Sequence, residues 1–132
     1  MDARDAAQRW ADVWQRGWES RDTESIVALY ADDAVYSSEP YRIPNRGQDG
    51  ARAYVSGAFA DEDDVRAWFG EPVVSGSRAA VQWWASLIES GQGVTLAGIS
   101  ILTFDTDGLV VDQWDTWNTI AERREPPEGW GR

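Results

Sequence analysis

The residues best suited to chemistry in this sequence lie in the stretch VVDQWDTWNT, residues 110–119. The alternation of a β-strand would place Gln113, Asp115 and Trp117 on one face. If that face is turned to an apolar interior, the carboxylate loses water, its pKa rises, and it can exchange a proton near neutral pH. The alternative is a structural carboxylate that is neutralised by Arg78 or another arginine across the sheet. The sequence leaves both roles for Asp115 open.

The chain of 132 residues contains no cysteine, histidine or lysine. These absences exclude disulfides, thiolate nucleophiles, histidine-assisted serine triads, Schiff-base lysines, P-loop lysines and Cys/His zinc sites. Because arginine stays protonated, Asp, Glu and Tyr are the remaining proton carriers near neutral pH. We therefore expect any chemistry to be general acid/base catalysis, without a cofactor and without a metal.

Two acidic clusters, DEDD at 61–64 and DTDG at 105–108, are the places where a magnesium or calcium ion would be sought. Neither fits a calcium loop, because the ligand spacing and the closing glutamate are missing. A solvated charge run and a hairpin turn are the favoured interpretations of these two segments.

The formal net charge of −11 argues against nucleic acid or an anionic membrane surface as a partner. No apolar run approaches the length of about 20 residues that a membrane span requires, and the N-terminus MDARDAAQRW lacks the pattern of a signal peptide. We therefore expect a cytoplasmic protein.

Helical periodicity marks the first half of the chain. Residues 6–18 place bulky side chains on one stripe, Asp22 is suited to cap a second short helix, and residues 50–60 have the pattern of a third helix. The second half instead contains strand-like runs parted by short turns, namely VRAWFGEPVV, RAAVQWWASLIE, VTLAGISILTFD and LVVDQWDTWNT. This order predicts one α+β domain over residues 1–132, with a core at 1–120 and an irregular C-terminal tail at 121–132.

This order of elements is similar to the cone-shaped α+β barrel of the nuclear-transport-factor-2-like superfamily. SRDTESIVALYADDAVYSSEPYR, RGQDGARAYV and ILTFDTDGLVVDQWDTWN resemble segments of its SnoaL-like branch, and the resemblance runs from about Ala6 to Thr119. It implies a curved, mainly antiparallel sheet with three N-terminal helices over its concave face. The superfamily includes ketosteroid isomerases, polyketide cyclases, limonene-type epoxide hydrolases, dehydratases and domains that only bind, so the resemblance does not select an activity.

The resemblance also assigns candidate catalytic residues. Asp115 matches the catalytic aspartate on the last strand of the SnoaL-type cyclases, and Glu39 lies near the place where steroid isomerases hold their general base. Ser100 and Trp14 lie where those isomerases keep oxyanion donors, a carboxylic acid and a tyrosine. The Asp-Arg-Asp triad of the epoxide hydrolases cannot form, because the middle strand reads VQWWASL.

The expected pocket is walled by aromatic side chains and a few hydroxyl groups. Trp83 and Trp84 are adjacent on a strand and must point to opposite faces. We assign Trp83 to the pocket and expect Trp84, with Trp114, to lie on the outer face of the sheet in a homodimer. The full set of candidate pocket residues is Trp14, Tyr30, Tyr36, Phe59, Trp83, Ser100 and Trp117.

The predicted function is to hold a small, mostly apolar organic ligand. Asp115 would carry a proton in isomerisation, ring closure or dehydration next to a carbonyl group. Two alternatives remain from the sequence. One is a ligand-binding or accessory domain without catalysis, and the other is a scaffold that contacts another protein through its aromatic surface.

Overall fold

The computed structural model describes residues 1–132 and contains three helices and one sheet of seven strands. The helices are α1 (Ala3–Ser20), α2 (Thr23–Val27) and α3 (Gly47–Ala60). The strands are β1 (Tyr30–Ser37), β2 (Asn45–Arg46), β3 (Glu62–Phe69), β4 (Val73–Ser75), β5 (Arg78–Glu89), β6 (Gln92–Phe104) and β7 (Val110–Ile120). The α+β fold predicted from the sequence is confirmed. The helices do not form one N-terminal block, however, because α3 follows β1 and β2.

The two N-terminal helices begin at aspartates that satisfy free backbone N–H groups. Asp2 accepts from the backbone N–H of Asp5 at 2.8 Å, and Asp22 accepts from that of Ser25 at 3.2 Å, as expected for N-caps. Helix α1 ends at Ser20, and its C-cap residue Arg21 adopts a left-handed conformation with φ of 61°. Measured by length and apolarity together, no helix of the structure qualifies to cross a membrane.

The strand order across the sheet is β2-β1-β7-β6-β5-β3, with β4 paired to β5. Strands β3, β5, β6 and β7 form the predicted antiparallel meander, and β1 joins it parallel to β7. The run predicted as one strand, VRAWFGEPVV, is divided into β3 and β4 at residues 70–72, where Pro72 cannot donate a ladder hydrogen bond. The segment DTDG forms the predicted turn, because Asp105 accepts from the backbone N–H groups of Asp107 and Leu109 at 2.9 Å each.

One face of the sheet, called here the inner face, packs against α1 and α3. Strand alternation brings to it Val81, Trp83, Ala85 and Leu87 of β5, Ser100 and Leu102 of β6, and Gln113 and Asp115 of β7, all of them buried. The residues between them point to the opposite, outer face. The buried position of Asp115 therefore follows from the register of β7.

Residues 121–132 form no helix or strand and lie over the outer face of the sheet. The indole N–H of Trp84 donates to the backbone carbonyl of Arg124 at 2.8 Å, and the ring of Trp84 meets that of Trp130 edge to face at 6.1 Å. The backbone N–H of Glu71 donates to Gly131 at 2.7 Å. The chain's own tail thus covers Trp84, whereas Trp114 stays 46% exposed.

Candidate functional site

A cavity lies between the inner face of the sheet and helices α1 and α3. Twelve of its 16 lining residues are hydrophobic. The cavity is small, with a volume of about 70 Å³, and its mouth opens to solvent. The cavity is therefore a narrow slot, which suits a flat ligand better than a bulky one. Seven predicted site residues line it: Trp14, Tyr36, Phe59, Trp83, Ser100, Asp115 and Trp117.

The carboxylate of Asp115 is held by three neutral hydrogen-bond donors. Its Oδ1 accepts from the hydroxyl of Ser100 at 2.6 Å and from the amide of Gln113 at 2.9 Å, and its Oδ2 accepts from the hydroxyl of Tyr36 at 3.0 Å. Asp115 forms no ion pair, and Arg78 is exposed at the start of β5. The interpretation of Asp115 as half of an ion pair is therefore not supported by the geometry.

Burial raises the pKa of Asp115 to about 6, against an ordinary value of 3.8. The three donors act in the opposite direction, because hydrogen bonds to a carboxylate stabilise its ionised form. Loss of water is the larger effect, since only 7% of the residue is exposed. Asp115 can thus gain and lose a proton close to neutral pH.

Tyr30 lies behind the cavity lining and orients the amide of Gln113. Its hydroxyl accepts from the indoles of Trp10 at 3.3 Å and Trp14 at 3.1 Å, and it donates to Gln113 Oε1 at 2.6 Å. The single hydroxyl proton and both lone pairs are used in this way. With its oxygen taken, Gln113 must turn its N–H₂ group to Asp115. Tyr30, predicted as a pocket residue, therefore does not line the cavity but supports three residues that do, Gln113, Trp14 and Tyr36.

Close packing fixes the position of Trp83, which forms the cavity wall beside Ser100 and Asp115. The indole N–H of Trp83 donates to Ser100 at 3.0 Å, so the hydroxyl proton of Ser100 points to Asp115. Gly98 leaves room for this indole, because a Cβ atom there would approach Trp83 Cζ2 and the Cβ of Trp117 to 2.7 Å each. Trp83 faces the cavity, as assigned from the sequence.

Glu39, the second candidate catalytic residue, is not among the residues that line the cavity. It lies on the loop after β1, where its carboxylate pairs with Arg42 at 2.9 Å and its side chain is 39% exposed. The proline-rich loop at 38–44 runs outside the sheet and carries this glutamate into solvent. The structure thus separates Glu39 from Asp115.

The second carboxyl group in the cavity is that of Glu62, which the sequence analysis left within a solvated charge run. Glu62 is 7% exposed and lines the cavity, and its Oε1 accepts from the indole N–H of Trp18 at 2.7 Å. Its neighbours Asp63 and Asp64 are exposed and pair with Arg21 and Arg123, as a charge run would. The expectation for residues 61–64 was therefore wrong at one position.

A β-bulge explains why Glu62 escaped detection. Counting back from Phe69 by twos places Ala67, Val65 and residue 63 on the inner face, which would leave Glu62 outside. The register shifts by one residue between Asp63 and Arg66, and Asp64 adopts a positive φ of 48° within this shift. The extra residue turns Glu62 to the inner face. The acidic segment ahead of VRAWF carries no sequence signal that predicts a bulge.

The comparisons with known proteins agree with this architecture. A model of the SnoaL-like domain matches residues 7–113. A search of curated proteins finds no match. Among solved structures, the epoxide hydrolase/cyclase-like enzyme SalBIII is 16% identical with a TM-score of 0.74, covering 86% of this chain and 91% of that one. RV0760c from Mycobacterium tuberculosis is 17% identical with a TM-score of 0.75, covering 91% and 97%. The chain belongs to the SnoaL-like domain family.

Proposed function

We propose that the cavity binds a small, neutral, mostly apolar organic molecule and that Asp115 transfers a proton to and from it without a cofactor. The observation that carries this proposal is a carboxyl group at an apolar slot whose pKa burial raises to about 6. A general base is most effective when its pKa lies near the working pH. Neutral donors alone hold this group, so its proton affinity is not suppressed by a cation.

The Oδ2 atom of Asp115 is the position where a ligand proton would be received. Oδ1 accepts two internal hydrogen bonds, whereas Oδ2 accepts only the one from Tyr36. A carboxylate oxygen offers about two acceptor positions, so Oδ2 retains one for the ligand.

The charge of the lining limits the ligand class. Glu62 and Asp115 are the only ionisable residues in it besides two tyrosines, and it contains no arginine. An anionic ligand would have no cation to balance it in a medium where unpaired charge is costly. The indoles of Trp14, Trp83 and Trp117 supply flat apolar walls. A neutral, flat molecule with one or two oxygen functions fits these conditions.

Three reactions suit a single carboxyl in such a slot: isomerisation, ring closure, and dehydration beside a carbonyl group. In a ring closure, a ligand hydroxyl gives its proton to Asp115 while its oxygen adds to a carbon–carbon double bond conjugated with a carbonyl group; the π electrons move to the carbonyl oxygen, and the resulting enolate takes the proton back from Asp115 at carbon. SalBIII is described as acting in pyran ring formation, which is a reaction of this class. The likeness in fold places ring closure among the first reactions to test.

The probe for this proposal is 5-nitrobenzisoxazole, a flat neutral molecule that opens to a coloured phenolate when a base removes its C3 proton. We expect the wild-type protein to accelerate this opening, with the rate rising as the pH passes about 6. Asp115→Asn should lower kcat/KM by about 100-fold or more, the usual range for loss of a general base. Asp112→Asn, half-exposed on the same strand, is the matched control and should leave the rate unchanged. Equal rates in wild type and Asp115→Asn would reject the catalytic role.

A ligand-binding role without catalysis is the second candidate. It is favoured by the three internal hydrogen bonds that already engage Asp115 and by the narrowness of the slot. A domain of this kind would bind a neutral flat compound such as 2-naphthol in calorimetry, and Asp115→Asn would bind it about equally. Binding of this kind, with no rate on the probe, would establish this candidate in place of the first.

We further propose that the protein forms a homodimer through the part of the outer face that its tail leaves open. Trp114 and Ile99 are 46% and 38% exposed there, and Ile101 is paired with Trp114 across β6 and β7. An exposed apolar patch on a sheet is a common site of self-association. Trp114→Arg should halve the mass measured by size exclusion with light scattering, whereas Trp84→Arg should first disturb the docking of the tail. A wild-type protein of monomer mass would end this proposal.

A further inference from the structure

Glu62 is a buried carboxyl group that the proposed chemistry of Asp115 does not use. It lies at the start of β3, 7% exposed, and lines the same cavity. Its carboxylate forms no ion pair. The guanidinium of Arg21 donates instead to the backbone carbonyl of Glu62, and the one side-chain hydrogen bond of the carboxyl comes from Trp18 at 2.7 Å. A buried acid with one neutral donor keeps most of its acceptor positions free.

The two carboxyl groups are positioned by successive turns of α1. Trp14 acts on Asp115 through Tyr30 and Gln113, and Trp18, four residues later, bonds directly to Glu62. The two indoles meet edge to face with their centres 6.0 Å apart. Residues four apart lie on one helix face, so α1 presents both acids to the same slot.

We propose that Glu62 is the second proton carrier of the cavity, an uncharged acid that donates to a ligand oxygen while Asp115 receives a proton. This inference rests on the proposed function of Asp115 and extends it. It assigns the ligand two reacting positions, a C–H or O–H beside Asp115 and a carbonyl or leaving oxygen toward Glu62.

The two carboxyl groups and the ligand account for every proton transferred in such a step. Asp115 takes the proton from the ligand, the electron pair released moves through the ligand to the second oxygen, and Glu62 supplies a proton there. The ligand is neutral before and after. Asp115 is left protonated and Glu62 ionised, and water at the cavity mouth returns the proton from one to the other.

The charges around Glu62 support its uncharged form at neutral pH. The pKa of Glu62 is raised to about 7, chiefly by burial; the hydrogen bond from Trp18 and the charge of Arg21 oppose this rise, and the charges of Glu89 and Asp61 add to it. Glu89 is the direct partner of Glu62 across β3 and β5. Both carboxyl groups therefore titrate closer to neutral pH than exposed carboxyls do, which allows an ionised Asp115 and a protonated Glu62 to be present together.

The opening of 5-nitrobenzisoxazole also tests this proposal, because the breaking N–O bond places negative charge on an oxygen to which a protonated Glu62 can donate a hydrogen bond. We expect a bell-shaped pH profile of kcat/KM with limbs near 6 and 7. Glu62→Gln keeps a hydrogen-bond donor but cannot titrate, so the rise near pH 6 should remain and the fall near pH 7 should disappear. Glu89→Gln, which removes a neighbouring charge outside the cavity lining, should keep the bell and move its upper limb to lower pH.

The outcomes separate the two proposals. Loss of rate in Asp115→Asn together with an unchanged bell in Glu62→Gln would overturn the role of Glu62 and leave that of Asp115 intact. No acceleration by the wild type would reject both. Glu62→Gln removes a costly buried charge and should fold, which a melting temperature at pH 8 equal to or above that of wild type would verify. NMR titration of the Glu62 carboxyl adds a readout independent of rate, and a pKa at or below the ordinary 4.5 would also overturn the proposal.

Discussion

The free energy of unfolding is expected to fall as the pH rises from about 5 to about 8. In the unfolded chain Asp115 and Glu62 titrate near 3.8 and 4.5, but in the fold their pKa values are raised to about 6 and about 7. The folded state therefore binds more protons in this window, and stability is lost as the pH passes the folded-state values. At roughly 1.4 kcal/mol per pKa unit, the ionisation of each carboxyl lowers the free energy of unfolding by at most about 3 kcal/mol. Self-repulsion of a chain with net charge −11 acts in the same direction.

Urea unfolding at pH 5, 6, 7 and 8 measures this effect. Asp115→Asn and Glu62→Gln should each flatten the dependence, and the double variant should nearly remove it, while Asp112→Asn should follow the wild type. Exposed carboxylates whose pKa is lowered by a hydrogen-bonded partner, such as Asp22 and Glu24, lose their contribution only below their ordinary pKa and do not affect this window. Stability that rises between pH 5 and 8 would show that the two acids are solvated.

Tyr30→Phe is expected to be the most disruptive removal of a single atom. The hydroxyl of Tyr30 pairs with the indoles of Trp10 and Trp14 and with Gln113, and all of these groups are buried. Three polar groups would lose their partner, at about 1–3 kcal/mol for each buried group left unsatisfied. We expect a loss of stability of about 3 kcal/mol or more.

Tyr36→Phe is the matched control for this variant, because it removes one hydroxyl that serves only Asp115. It should cost about 1 kcal/mol, the typical net value of one hydrogen bond. It should also raise the pKa of Asp115, since a donor to the ionised form is lost. Denaturant unfolding of the two variants side by side, with NMR titration of Asp115, makes the comparison. Equal losses of stability would contradict the network centred on Tyr30.

Much of the fold follows from local pattern. The cap at Asp22, the tryptophan stripe of α1 and the turns between strands are set by residues close in sequence, and local residue pattern predicts them. The inward orientation of Asp115 follows from the same rule, because β7 keeps an unbroken alternation from residue 112 to residue 120. Where a strand is regular, residue order alone decides which side chains reach the interior.

The features that the sequence did not predict depend on contacts between distant segments. Glu39 was assigned through a resemblance that needed a one-residue gap, and the loop places it in solvent. Tyr30 was predicted to line the pocket. The sequence could not show that its hydroxyl is already engaged, because one of its partners, Gln113, lies 83 positions away in the chain. The isolated Trp130 predicts that the tail docks through its indole, but that the docking partner is Trp84 depends on a contact between distant segments.

The bulge at Asp64 implies that the number of acids in the slot is set by chain spacing as well as by composition. Deletion of Asp63 or Asp64 would remove the extra residue and place Glu62 four residues before Ala67, still on the inner face, whereas a regular strand of unchanged length would turn Glu62 outward. Two chains with the same residues in β3 but different bulges would thus differ in chemistry. A sequence alignment that treated this stretch as a variable acidic segment would not distinguish family members with one buried acid in the cavity from members with two.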